Sequence, residues 1–135
     1  MMSVKSTIAL SACIILLLST SSCEKEPGEG GNSSIYGKVI VRDYNAEFTY
    51  LKEVYPGRDV DVFIIYGDDK SVSDRVRTSY DGTYEFKYLR KGEYKIFAYS
   101  KDSTLMTNSV VPVIKDVTID DNKTEVEVPD LIIYN

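Results

Sequence analysis

The 135-residue chain has no histidine and two cysteines, Cys13 and Cys23. Without histidine, zinc sites and Ser or Cys nucleophiles activated by an imidazole lose their usual parts. Cys13 lies inside an apolar run predicted to be removed, which leaves Cys23 as the single thiol of the mature chain. No disulfide can then form within it, although export would permit one. Carboxylates are plentiful. Asp68-Asp69, and Asp116 with Asp120, Asp121 and Asn122, offer oxygen ligands of the kind calcium takes. No ordered Asp-x-Asp-x-Asp-Gly loop is present, and Asp and Asn at hairpin tips serve turn chemistry of their own. A glycosidase would need a matched carboxylate pair, and nothing in the spacing selects one. These residues predict no catalysis, no cofactor and no metal. What remains is recognition: 11 tyrosines and no tryptophan. Planar rings with a polar tip suit glycan stacking and adaptable protein contacts, although tyrosine is also a favoured strand residue.

The elements that carry these residues begin after a leader. Lys5 is the only charge among residues 1–22, and Ile8 to Leu18 is an uncharged, almost wholly apolar run of eleven residues, short of the roughly 20 that a spanning helix needs. With the small residues that follow, this is the pattern of a secretory signal peptide over residues 1–22. Thr20-Ser21-Ser22-Cys23 resembles the lipobox of bacterial lipoproteins, in which the cysteine is lipidated and becomes the first residue. Glu24-Lys25-Glu26 behind it resembles the acidic signal for surface display in some Gram-negative groups. The resemblance implies a membrane partner through a lipid on Cys23 and a place at the outer membrane, exposed at the surface. Residues 23–33, with three glycines among Glu24 to Ser33 and no apolar residue there, read as a flexible tether. Removing residues 1–22 takes away one lysine and no acid, leaving 15 basic against 21 acidic residues, or −6. That balance repels phosphate backbones and argues against nucleic acid.

Residues 34–135 read as one all-β domain, an antiparallel sandwich of about seven strands, transthyretin-like or Ig-like. Ile35, Gly37, Val39 and Val41 alternate with polar residues, as do Val60, Val62, Ile64 and Tyr66. Val72 to Thr78 is more polar, as at a sheet edge. Gly82 to Ala98 reads as strand, turn, strand, a hairpin-like pair turning at Lys91-Gly92, with Tyr84, Phe86, Leu89, Tyr94, Ile96 and Ala98 inward. Short strands are expected around Pro112, which favours an edge, and on either side of Pro129. Residues 43–59 form an inter-strand insert.

Gly37-Lys38-Val39, Val60-Asp61-Val62-Phe63 and Asp81-Gly82-Thr83-Tyr84-Glu85-Phe86, running on to Leu89 and Gly92-Glu93-Tyr94, resemble the carboxypeptidase regulatory-like domains of the transthyretin-like (prealbumin-like) group. The likeness covers roughly residues 35 to 100. It departs from the family's pattern in the long insert and in Asp59, which stands near a place where the family has a small residue. Hydroxyisourate hydrolases share that fold but resemble one another through catalytic histidines, which this chain lacks. The resemblance implies a non-catalytic binding or structural module.

Strand alternation places one candidate surface. Val62 and Ile64 inward force Phe63 and Ile65 outward, and Ile96 and Ala98 inward force Lys95, Phe97 and Tyr99 outward. The resemblance makes those two strands neighbours, so the residues form one patch, rimmed by Arg75 and Arg77. An apolar patch of this kind marks an interaction surface for a protein or a glycan. The alternative is that Tyr44, Phe48, Tyr50, Leu51 and Tyr55 of the insert lie across it. Mutual burial favours that cover by about 25 cal/mol per Å².

Overall fold

The computed structural model describes residues 26–135; the leader, Cys23 and the first part of the tether lie outside the described residues. Nine strands form two packed sheets: β1 (Glu29–Tyr44), β2 (Leu51–Pro56), β3 (Asp61–Tyr66), β4 (Asp74–Arg77), β5 (Thr83–Leu89), β6 (Gly92–Lys101), β7 (Val110–Ile119), β8 (Glu125–Glu127) and β9 (Leu131–Tyr134). The first sheet is built on β1. Its N-terminal half pairs with β5 antiparallel and β8 parallel, and its C-terminal half with β2 antiparallel and β9 parallel. The second sheet runs β4-β3-β6-β7 and is antiparallel throughout.

The core follows from alternation. Ile35, Val39, Val62, Ile64, Ile96 and Leu131 are fully shielded from solvent between the sheets. All six residues expected inward from the Gly82–Ala98 stretch, Tyr84 to Ala98, are buried. At Gly82 the backbone takes a positive φ of 82°, and a Cβ there would lie 2.7 Å from the Val39 carbonyl oxygen. Only glycine meets both demands.

Four expectations change. The Gly82–Ala98 stretch is not a hairpin, because β5 belongs to the first sheet and β6 to the second. The Lys91-Gly92 turn passes the chain across the sandwich, and Tyr94, buried at its foot, donates its hydroxyl to the Arg90 carbonyl at 2.6 Å. The strands number nine rather than about seven, and β8 and β9 lie parallel to β1, since the chain returns to β1 from the β7 side.

The third change concerns residues 26–33, part of the expected tether, which belong to the sandwich. Gly28 is buried, donating its N–H to Tyr94 Oη at 2.9 Å and accepting the Arg90 N–H on its carbonyl at 2.9 Å. Gly31 packs so closely that a Cβ would lie 2.1 Å from the Leu89 carbonyl oxygen. Glycine here serves close approach of two backbones, which composition cannot tell apart from flexibility.

The insert makes the fourth. It carries a strand of its own, β2, on the edge of the first sheet, and the turn before β2 folds onto that same sheet. Phe48 meets Tyr44 and Tyr134 with ring centroids 5.6 and 6.1 Å away. Asn45 closes the turn by accepting the N–H groups of Thr49 and Tyr50 on Oδ1, each at 2.9 Å. The insert therefore does not cover the aromatic patch, which lies on the other sheet.

Candidate functional site: an aromatic face and the groove it runs into

The outer face of the second sheet brings together all the candidate residues in rows set by register. Phe63 on β3 stands between Arg75 on β4 and Phe97 on β6, Ile65 stands opposite Lys95, and Arg77 opposite Asp61. Phe63 and Phe97 stack at 5.0 Å, and Tyr99 sets its ring edgewise to both at 5.6 Å. The rings shield one another: Phe97, at the centre, is 6% exposed, while Tyr99 at the margin is 47% exposed.

The sequence reading missed the contribution of β7. Ile114 pairs with Phe97 and Pro112 with Tyr99, and Ile114 is 52% exposed beside the rings. The outward alternation of Val110, Pro112 and Ile114 was the available signal, obscured because Pro112 reads as a break. As the outermost strand, β7 tolerates it.

The charges on this face are paired within it. Arg77 Nε donates to Asp61 Oδ1 at 3.2 Å, with Arg75 Nη1 3.9 Å from Asp61 Oδ2. Lys95 Nζ donates to Asp116 Oδ1 at 2.8 Å, and that bond with the Asp116 charge raises the pKa of the ammonium. Such exposed pairs contribute little stability. Their effect is to hold three cations against two carboxylates at the rim, one positive charge in excess, and to leave the apolar rows between them. Among the described residues no group of three or more His, Cys, Asp or Glu side chains is placed to hold a metal ion.

At Tyr99 the face runs into a groove of about 920 Å³ at one end of the sandwich, lined by Tyr55, Arg58, Tyr80, Lys101 and Tyr134 among others. Three devices position these side chains. Thr78, buried at the end of β4, accepts the Val60 N–H on Oγ1 at 2.9 Å and donates the same hydroxyl to the Gly57 carbonyl, fixing the loop that carries Arg58. Asp81 gathers the hydroxyls of Ser79 and Thr83 into a tight turn, and Tyr80 stands on it. Those hydrogen bonds pull the Asp81 carboxyl down to about 2. Ser100 Oγ, buried at the end of β6, accepts the Tyr134 N–H at 2.8 Å and draws β9 against the second sheet. The result leaves Tyr80 82% exposed, with the Arg58 guanidinium 5.4 Å from its ring centroid. Sequence alone puts Tyr55 in the insert's cover and does not single out Tyr80, because six separate segments meet here and no local pattern joins them.

The groove and the start of the domain lie at opposite poles. Pro27 packs against Gly92, the first residue of β6, while Lys101, the last, lines the groove. The strand from one to the other is ten residues long, roughly 30 Å at a rise of about 3.3 Å per residue.

Neither protein-family models nor curated proteins give a match to this chain. Among solved structures, the chain is similar to the crystal structure of a "putative carbohydrate binding protein" from Pseudomonas aeruginosa, with 14% identity, a TM-score of 0.47, and coverage of 80% of this chain and 91% of that one. That likeness is too distant to transfer a role.

Proposed function

We propose that the chain is an exported lipoprotein, anchored through Cys23 at the outer membrane, whose β-sandwich acts as a non-catalytic protein-interaction or structural module of the carboxypeptidase regulatory-like type. The observation that carries this reading is the uncovered face of the second sheet. Phe63, Phe97, Tyr99, Pro112 and Ile114 form contiguous apolar rows whose flanking charges are held in ion pairs. Surfaces of this kind are docking faces, because an apolar patch rimmed by polar residues gains from being removed from water. Ile114 is the residue to change: half exposed, it contributes little to the core, and a glutamate there would place a charge amid the apolar rows. Cross-linked membranes from the native cell, with the protein recovered by affinity, should yield a stoichiometric partner that Ile114→Glu loses at unchanged melting temperature. Recovery of the same partner by the variant, or of none by either, sinks the reading. Labelled fatty acid should enter the wild-type chain and not Cys23→Ala.

A second reading, a glycan-binding accessory lipoprotein of a polysaccharide-uptake system, is favoured by the groove, whose lining adds four tyrosines and both signs of charge to its aliphatic side chains.

A further inference from the structure

We infer that the groove at the Tyr80 pole is a binding site for a neutral, linear oligosaccharide. The inference rests on the reading of the domain as a binding module and names a ligand class for a groove that adjoins the apolar face at Tyr99. A pyranose ring presents a flat face of C–H groups and a rim of hydroxyls. It therefore needs an aromatic ring to lie on and mixed donors and acceptors around it. Tyr80 and Tyr99 supply exposed rings, at 82% and 47%. Arg58 and Lys101 supply donors, Glu53 supplies an acceptor, and tyrosine hydroxyls serve as either.

The charge balance selects among ligands. One carboxylate beside two cations is not a single-sign field, so a polyanion finds no consistent partner, whereas hydroxyls use both kinds of group. The shape selects too. A groove of about 920 Å³ lies within the size range of ligand sites. Its margin continues through Tyr99 onto Phe97 and Phe63, so a chain of several rings can extend out of it. Position adds a third argument. The groove opens at the pole away from Pro27 and Gly92, and hence away from the segment leading to Cys23.

Tyr80 is the informative substitution, because its ring is exposed and touches only Arg58 among the contacts above. The test presents the full chain, in detergent, to an array of neutral gluco-, manno- and xylo-oligosaccharides alongside oligogalacturonates, and follows the best ligand by titration calorimetry. Binding to a neutral series is expected, weakened about tenfold by Tyr80→Ala, in line with an aromatic contact of about 1.4 kcal/mol. It should persist in Tyr88→Ala, which removes an equally exposed ring outside the groove. It should also change little between roughly 0.05 and 0.5 M salt, since no charge is neutralised. Binding by oligogalacturonate alone, equal loss in both variants, or retention of no sugar overturns the assignment. Should sugars fail while a partner remains sensitive to Ile114→Glu, the groove assignment falls and the interaction module stands.

Discussion

Two residues show how local chemistry in this domain acts against expectation. Tyr84 is 4% exposed, and its hydroxyl has no hydrogen-bond partner, so burial, with the nearby Asp130 carboxylate, pushes its pKa up. The oxygen lies where Gly37 leaves room, only 2.6 Å from where a Cβ would stand. An unpaired buried hydroxyl costs about 1–3 kcal/mol, so Tyr84→Phe should raise the free energy of unfolding by an amount in that range, read as a higher urea midpoint at unchanged slope. A loss of similar size would mean the hydroxyl is partnered in solution. Asp81 acts in the opposite sense. Its carboxyl, ordinarily near 3.8, is held at about 2 by Ser79 and Thr83. A depressed acid contributes stability that is present above its unfolded pKa and lost as pH falls through the folded one. The melting temperature should therefore drop between about pH 4 and pH 2. Asp81→Asn should melt lower at neutral pH and show a flatter acid limb; parallel limbs in the two proteins would refute the role given to this carboxyl.

At the scale of elements, what alternation could show was legible and what partnership decides was not. The inward residues of β3, β5 and β6 follow from period two, because one face of each strand must be buried. The outward set followed as their complement, and so the aromatic face was readable as a list of residues. Which surface the insert would cover was not, because Tyr44, Phe48 and Tyr55 are compatible with either sheet. The decision rests on register: β2 pairs with β1 from Ile40–Pro56 to Tyr44–Leu51, which draws Phe48 toward Tyr134 and away from Phe63. The hairpin expected at Lys91-Gly92 failed for a related reason. Two strands joined by a short turn look the same in sequence whether they pair or cross between sheets, and here β5 finds β1 while β6 finds β3. The glycines of residues 26–33 carried a signal for close packing that reads equally as a linker. The groove had the weakest signature of all, since Tyr55, Tyr80, Tyr99 and Tyr134 converge only once both sheets are in place.

The whole molecule has a direction, and that gives the proposed anchoring a geometric consequence. Residues 26–33 are part of the sandwich, with Gly28 bonded to Tyr94 and Pro27 packed on Gly92. A lipid on Cys23 would then be joined to the domain by only the chain from Cys23 to Glu26, at most roughly 10 Å at about 3.5 Å per residue. A tether that short holds the pole of Gly67, Asp68 and Gly92 close to the bilayer, where an eleven-residue coil would let the domain tumble. The length of β6 then holds the Tyr80 pole roughly 30 Å further out, facing what lies beyond the membrane. Introduced cysteines can read this out, because lipidation of Cys23 would leave the introduced thiol as the only free one in the mature chain. A fluorophore on Asp68→Cys, in the lipidated protein on vesicles, should be quenched by nitroxide lipid headgroups. One on Tyr80→Cys should retain its emission. Equal quenching at both sites would show that the domain lies flat or tumbles on a longer tether, and would remove the outward-facing groove from the account. Inserting ten Gly/Ser residues after Glu26 supplies the complement: the contrast between the two labels should fade if the short connection is what fixes the orientation.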